Sequence, residues 1–95
     1  MTLGTDGDPF NRLPGGRARA VLEYLARQIV DEPDVVEVDS SGGEGRQPVR
    51  LSLKVAPGDV GRVIGRRGRT AHAIRSITRA AAARDGEEVF VDIAD

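Results

Sequence analysis

Val60-Gly61-Arg62-Val63-Ile64-Gly65-Arg66-Arg67-Gly68-Arg69-Thr70-Ala71-His72-Ala73-Ile74-Arg75 is the stretch on which the reading of this chain turns. Asp59 stands before it as a plausible N-cap, and Val60, Val63 and Ile64 fall on one face of a short helix. Gly65 stops that helix, and Gly68 follows three residues later. A longer helix then runs from about Arg69 to Arg84. Two glycines so placed leave the bend between the helices without Cβ atoms, so a ligand can approach the main chain closely. Amides at the start of the second helix lack intrahelical acceptors and can donate to a phosphate oxygen. Arg66 and Arg67 are the intervening residues and must largely face water, with Arg62 and Arg69 at their flanks. A positive, donor-rich edge of small steric profile suits the backbone of a nucleic acid.

The charge distribution agrees with that edge. The formal net charge is −1, which taken alone argues against a polyanionic ligand. Yet the 25 residues from Val60 to Arg84 hold seven arginines and no Asp or Glu, while all 15 acidic residues lie elsewhere. Local potential, and not the average over the chain, attracts a polyanion. Of the 14 basic residues all but Lys54 are arginine, the side chain suited to bidentate phosphate contacts.

Outward from this stretch the pattern fills in a small α+β domain. On the C-terminal side, Ile74, Ile77 and Ala81 are expected to line the buried stripe of the long helix, with Thr70 and Ala73 beside them. His72, Arg75 and Arg79 are expected to project on its other side. Asp85-Gly86 ends the helix, and Val89, Val91 and Ile93 alternate in a last strand. On the N-terminal side, Ala56-Pro57-Gly58 turns the chain out of a strand in which Val49, Leu51, Leu53 and Val55 face one way and Arg50, Ser52 and Lys54 the other. One polar face suits a sheet covered by helices on a single side. Ser40-Ser41-Gly42-Gly43-Glu44-Gly45 is a loop by composition, and Val36 and Val38 alternate with Glu37 and Asp39 in a further strand. Ala18, Val21, Leu22, Leu25, Ala26, Ile29 and Val30 recur at helical spacing, ended by Asp31-Glu32-Pro33. Residues 1–15 are rich in Gly, Pro and Asp, show no periodicity and read as a flexible tail, leaving 16–95 as one domain. The predicted order is helix, strand, strand, helix, helix, strand, with three helices on one face of a three-stranded mixed sheet.

Composition excludes several function classes. A chain of 95 residues has room for one modest core. Without cysteine there are no disulfides, zinc-thiolate sites or Cys nucleophiles, and with His72 as the only histidine there is no multi-histidine metal site. His72 has no acidic residue on its own helix to orient it and reads as a solvent or ligand contact, not a catalytic base. No nucleotide-binding P-loop and no dinucleotide Gly-x-Gly-x-x-Gly pattern occurs. No cofactor is implied, and the chain reads as no enzyme. No apolar run approaches the ~20 residues of a membrane span, and Met1-Thr2-Leu3-Gly4-Thr5-Asp6 lacks the character of a signal peptide. The expected location is therefore cytoplasmic. Phe10, Tyr24 and Phe90 are the only aromatics, too few for base stacking to dominate binding.

Val63-Ile64-Gly65-Arg66-Arg67-Gly68 resembles the signature of KH domains, a hydrophobic pair leading into Gly-x-x-Gly. The element order, with a helix and a strand ahead of the core, resembles the type II arrangement of bacterial KH domains. More narrowly, Val55 to Gly65 and Gly68 to Arg75 closely resemble the small bacterial KH-domain protein A (KhpA) family, and the similarity spans about residues 17–94. The resemblance implies a groove for about four single-stranded nucleotides. In it Gly65 and Gly68 shape the clamp, Arg66 and Arg67 contact phosphate, and Ile64 touches bases beside Val60 and Val63. Arg62, Arg69 and Arg75 complete the expected RNA-binding set. Where many KH domains carry a bulky aliphatic residue three places after the second glycine, this chain has Ala71. The resemblance further implies an RNA chaperone or post-transcriptional regulator linked to cell elongation and envelope homeostasis. Its partners would be single-stranded RNA and a larger protein carrying its own KH domain, with homodimerisation as a further option. The alternative reading is a protein–protein interaction or dimerisation module with incidental nucleic-acid binding, for which the exposed candidates are Tyr24 and Phe90.

Overall fold

The computed structural model describes residues 14–94. The expected tail therefore lies almost wholly outside the described residues. Its last residue, Gly15, is buried, and its N–H donates to Glu87 Oε1 at 2.9 Å. Helix α1, Gly16–Ile29, buries Ala18, Leu22 and Ala26 at successive turns, with Val21, Leu25 and Ile29 half-buried beside them. A single 3-10 turn, Pro33–Val35, leads into strand β1, Glu37–Gly42. Strand β2, Val49–Lys54, follows. The 3-10 turn Pro57–Asp59 delivers the short helix α2, Val60–Ile64. A further 3-10 turn, Arg66–Gly68, precedes helix α3, Arg69–Arg84, and strand β3, Val89–Ile93, ends the domain.

The sheet order is β1-β2-β3, with β1 antiparallel to β2 and β2 parallel to β3. The parallel pair is joined through α2 and α3, as a parallel connection requires a crossover. Alternation places Val38, Val49, Leu51, Leu53, Val89 and Val91 on the covered face, each no more than 5% exposed. Leu22 of α1, Val63 of α2 and Ile74 of α3 meet that face in one continuous core. Burying Leu51 and Leu53 fully contributes roughly 1.5–3 kcal/mol each, which makes β2 the spine of the sheet. The opposite face carries Asp39, Arg50, Asp92 and Phe90, with Arg50 and Asp92 paired at 2.9 Å. The predicted α+β architecture, three helices over a three-stranded mixed sheet, is the observed one.

Three local expectations change. Strand β1 runs on through Ser40, Ser41 and Gly42, which composition assigned to a loop; they pair with Leu51, Arg50 and Val49. Backbone pairing with β2 overrides the low strand propensity of small polar residues. Helix α3 is rotated by about one residue from the expected stripe. Its buried line is Ala71, Ile74, Thr78 and Ala82, while Ile77 is 49% exposed and Ala73 also faces water. The third change concerns Asp59, whose side chain makes no capping bond to α2. It is 2% exposed, and its carboxylate instead accepts the Asp31 and Glu32 N–H groups just beyond the end of α1.

Candidate nucleic-acid interface

The bend between α2 and α3 is built almost entirely from unusual backbone. Gly65 has φ +77° and ψ 174°, Arg67 has φ +58° and ψ 25°, and Gly68 has φ +74° and ψ 11°. Arg67 is the single non-glycine residue with positive φ among the described residues. Such a conformation costs an L-residue roughly 1–2 kcal/mol, and strain of this kind gathers at binding sites. The two glycines are needed for different reasons. At Gly65 a Cβ would collide with Thr70 Oγ1 and lie 2.6 Å from Thr70 Cβ, so the space as well as the dihedral demands glycine. At Gly68 nothing lies within 4 Å of an added Cβ, and only the left-handed backbone demands it.

Backbone bonds close the bend on itself. Gly65 N–H donates to Gly61 O at 2.9 Å, Gly68 N–H donates to Gly65 O at 3.1 Å, and Arg69 N–H donates to Arg66 O. The amides of Gly68 and Arg69, expected to await a ligand at the start of α3, are thus already used. Arg66 and Arg67 contribute no donor to the backbone bonds that shape the bend.

The side chains divide into two groups. Arg66, Arg67 and Arg69 are exposed and make no ion pair or side-chain hydrogen bond among the described residues. Arg62, expected beside them as a phosphate contact, is instead tied down. Its Nη2 lies 2.9 Å from Asp31 Oδ2 and its Nε 3.5 Å from Asp59 Oδ1. Arg75 also departs from expectation. It is half-buried, and its Nε donates to the Val91 carbonyl of β3 at 3.2 Å, so it is not a free extension of the basic track. Ile64 is half-buried, next to fully buried Val63, leaving part of its side chain at the surface beside the loop. Ala71 is 2% exposed and belongs to the core rather than to an open groove. His72 is exposed on the first turn of α3. Two recesses of about 400 Å³ each lie elsewhere. One is bordered by the Gly43–Val49 region and Gly86–Glu88, the other by Arg79, Val89 and Phe90. Neither includes a residue of the loop.

What sequence reasoning missed is the anchoring of this edge. Asp59, Arg62 and Asp31 form one network at the start of α2, and the Asp31 and Glu32 amides that Asp59 accepts lie 28 and 27 residues before it in the chain. Only the folded arrangement brings them together. No local spacing announces them.

The chain matches the family model of the KhpA/KhpB KH domain over residues 19–93. It is 47% identical over 75 residues to the RNA-binding protein KhpA of Clostridium acetobutylicum, covering 79% of this chain and 97% of that protein. The protein of the same name from Caldanaerobacter subterraneus is 44% identical over 73 residues, covering 77% and 95% of the two chains. That of Halalkalibacterium halodurans is 42% identical over 77 residues, covering 81% and 99%. The matched span begins in α1, takes in the Gly65–Gly68 bend and ends with β3, so sequence kinship and fold coincide: the chain belongs to the KhpA/KhpB family of KH domains.

Proposed function

We propose that this chain binds single-stranded RNA, gripping the sugar-phosphate backbone with the Gly65-Arg66-Arg67-Gly68 bend while the exposed part of Ile64 packs against bases. The observation that carries the reading is the pair Arg66 and Arg67, exposed, without partners among the described residues, and seated at the tip of a strained glycine turn. Guanidinium groups with nothing to neutralise them are suited to phosphate. The names of the relatives, RNA-binding protein KhpA, support the ligand class. Arg69, adjacent on α3 and equally unpaired, extends the contact. Arg62 and Arg75 contribute to the positive field without being direct ligands. The family is one of non-enzymatic KH domains, and the activity proposed is binding alone.

At the cellular level we place the protein in the cytoplasm as an RNA chaperone or post-transcriptional regulator. It would work with a larger KH-containing partner in processes of cell elongation and envelope homeostasis. The functional unit is residues 16–95, with residues 1–15 as an appendage.

The test is the double substitution Arg66→Asp and Arg67→Asp. Both side chains are exposed, so the thermal unfolding transition should be retained while affinity for a fluorescent single-stranded RNA falls at least about tenfold, the equivalent of ~1.4 kcal/mol. Undiminished affinity in the folded variant overturns the reading. A second reading, a protein-docking module, is favoured by the exposure of Tyr24 at 64% and Phe90 at 41%. Light scattering of the same preparations, with and without RNA, separates the two.

A further inference from the structure

At the other end of α2 from the loop lies a carboxylate that the proposed RNA contact does not use. Asp59 is 2% exposed and stands directly before α2 and the acid-free stretch that begins at Val60. Burying a charge is costly unless its lone pairs are met, and here they are met from two directions. Oδ1 accepts Asp31 N–H at 3.0 Å and Oδ2 accepts Glu32 N–H at 3.1 Å, both on the segment leaving α1. From the other side Arg62 Nε approaches Oδ1 at 3.5 Å, and Arg62 Nη2 reaches Asp31 Oδ2 at 2.9 Å. The side chain next to the start of α2 therefore holds the end of α1, and a side chain of α2 returns to the same segment. Helix α2 has five residues, too few to be stable by itself. Its orientation rests on Val63 in the core and on this network. Gly65 follows its last residue directly.

We infer that Asp59 is a positioning residue for the RNA clamp: with Arg62 and Asp31 it fixes α2 to the end of α1 and so sets the aim of the Gly65–Gly68 bend. The inference rests on the RNA-binding reading above and adds to it a buried acid that promotes binding of a polyanion. The sign of that effect is what distinguishes it. Removing a negative charge near a nucleic acid should tighten binding if charge alone matters. Removing a positioning contact lowers the fraction of molecules with a competent loop, and apparent affinity falls in proportion.

The experiment compares wild type with Asp59→Asn and Asp31→Asn, the second an exposed change that leaves the core untouched. Affinity for a short fluorescein-labelled single-stranded RNA of random sequence is measured at a temperature where all are folded. Amide hydrogen exchange is followed through residues 61–70. Leu22→Val, a buried truncation in α1 outside the network, serves as the stability control. Asp59→Asn should bind about tenfold more weakly, as for a loop competent one-tenth of the time. Asp31→Asn should bind roughly threefold more weakly, and both should exchange faster around the bend than Leu22→Val does. Equal or tighter binding by both Asn variants, or losses no greater than in Leu22→Val, overturns the inference. Unchanged exchange around the bend in Asp59→Asn overturns it as well, whatever the RNA result. The double Asp substitution at Arg66 and Arg67 is run alongside: its retention of affinity counts against the RNA reading, and the exchange data still decide the role of Asp59.

Discussion

At Gly65 the backbone sits at φ +77° and ψ 174°, a region that side chains all but exclude. The side chain of Thr70 occupies the place of a Cβ there. Gly68 has the milder left-handed geometry and open space around it. The two glycines of one motif should thus differ in what they tolerate. Gly65→Ala is expected to lower stability by about 3 kcal/mol, strain and collision acting together, and Gly68→Ala by about 1 kcal/mol. Urea unfolding of the two variants checks the ranking, and equal losses would contradict the role given to Thr70. The sequence marks both glycines as places where no Cβ blocks a ligand's approach to the main chain. Which one is sterically closed it does not show, because Thr70 meets Gly65 only once the turn has formed. Asp59 shows the same limit more sharply. A carboxylate before a short helix reads as its cap, and its real acceptor role depends on amides 27 and 28 residues earlier in the chain. Arg62 as a flank of the loop and Arg75 further along α3 also belong to the expected RNA-binding set, and the partners that hold them, Asp31 and the Val91 carbonyl, are distant in the chain.

Among the elements, α3 is the one whose identity was plain and whose orientation was not. Its apolar residues surround the axis: Ala71, Ala73, Ile74, Ile77 and Ala80 to Ala83. Alanine fits a core or a surface, so two stripes one residue apart compete on apolar spacing alone. In the structure Thr78 is fully buried, its hydroxyl without a hydrogen-bond partner among the described residues, and Ile77 is 49% exposed. Burying a hydroxyl without a partner costs stability, so burial at this position does not follow the polarity of the side chain. If that register is right, Ile77→Ser should leave stability within about 0.5 kcal/mol of wild type. Ile74→Ala, three residues away and 3% exposed, should remove roughly 2–5 kcal/mol. Chemical denaturation of the pair distinguishes this register from the one expected. The strands were easier to read, since β2 and β3 alternate cleanly and bury every second residue. The two edge strands are each met by an arginine from a helix, Arg19 Nε at the Val38 carbonyl and Arg75 Nε at the Val91 carbonyl. Occupying an edge carbonyl discourages pairing with another chain, which gives Arg75 a structural use.

For the whole molecule the decisive property is the contrast between a net charge of −1 and three arginines, Arg66 and Arg67 in the loop and Arg69 beside it, that have no partner among the described residues. The surrounding acidic residues should repel a polyanion at long range, so attraction must come from a few close contacts and not from a diffuse positive surface. That makes the salt dependence of binding countable. Each phosphate neutralised on a single strand contributes a slope of about −0.7 to log K against log salt. If Arg66, Arg67 and Arg69 each neutralise one phosphate, the slope should be about −2. Replacing Arg69 with Gln should reduce it by roughly 0.7, whereas replacing Arg75 with Gln should leave it nearly unchanged, because Arg75 is held at Val91. A titration of RNA affinity against potassium chloride measures all three values. A slope near zero would mean that the loop does not grip phosphate. A much steeper slope, falling equally with either substitution, would mean that α3 as a whole attracts the strand and that the bend has no special part in holding it.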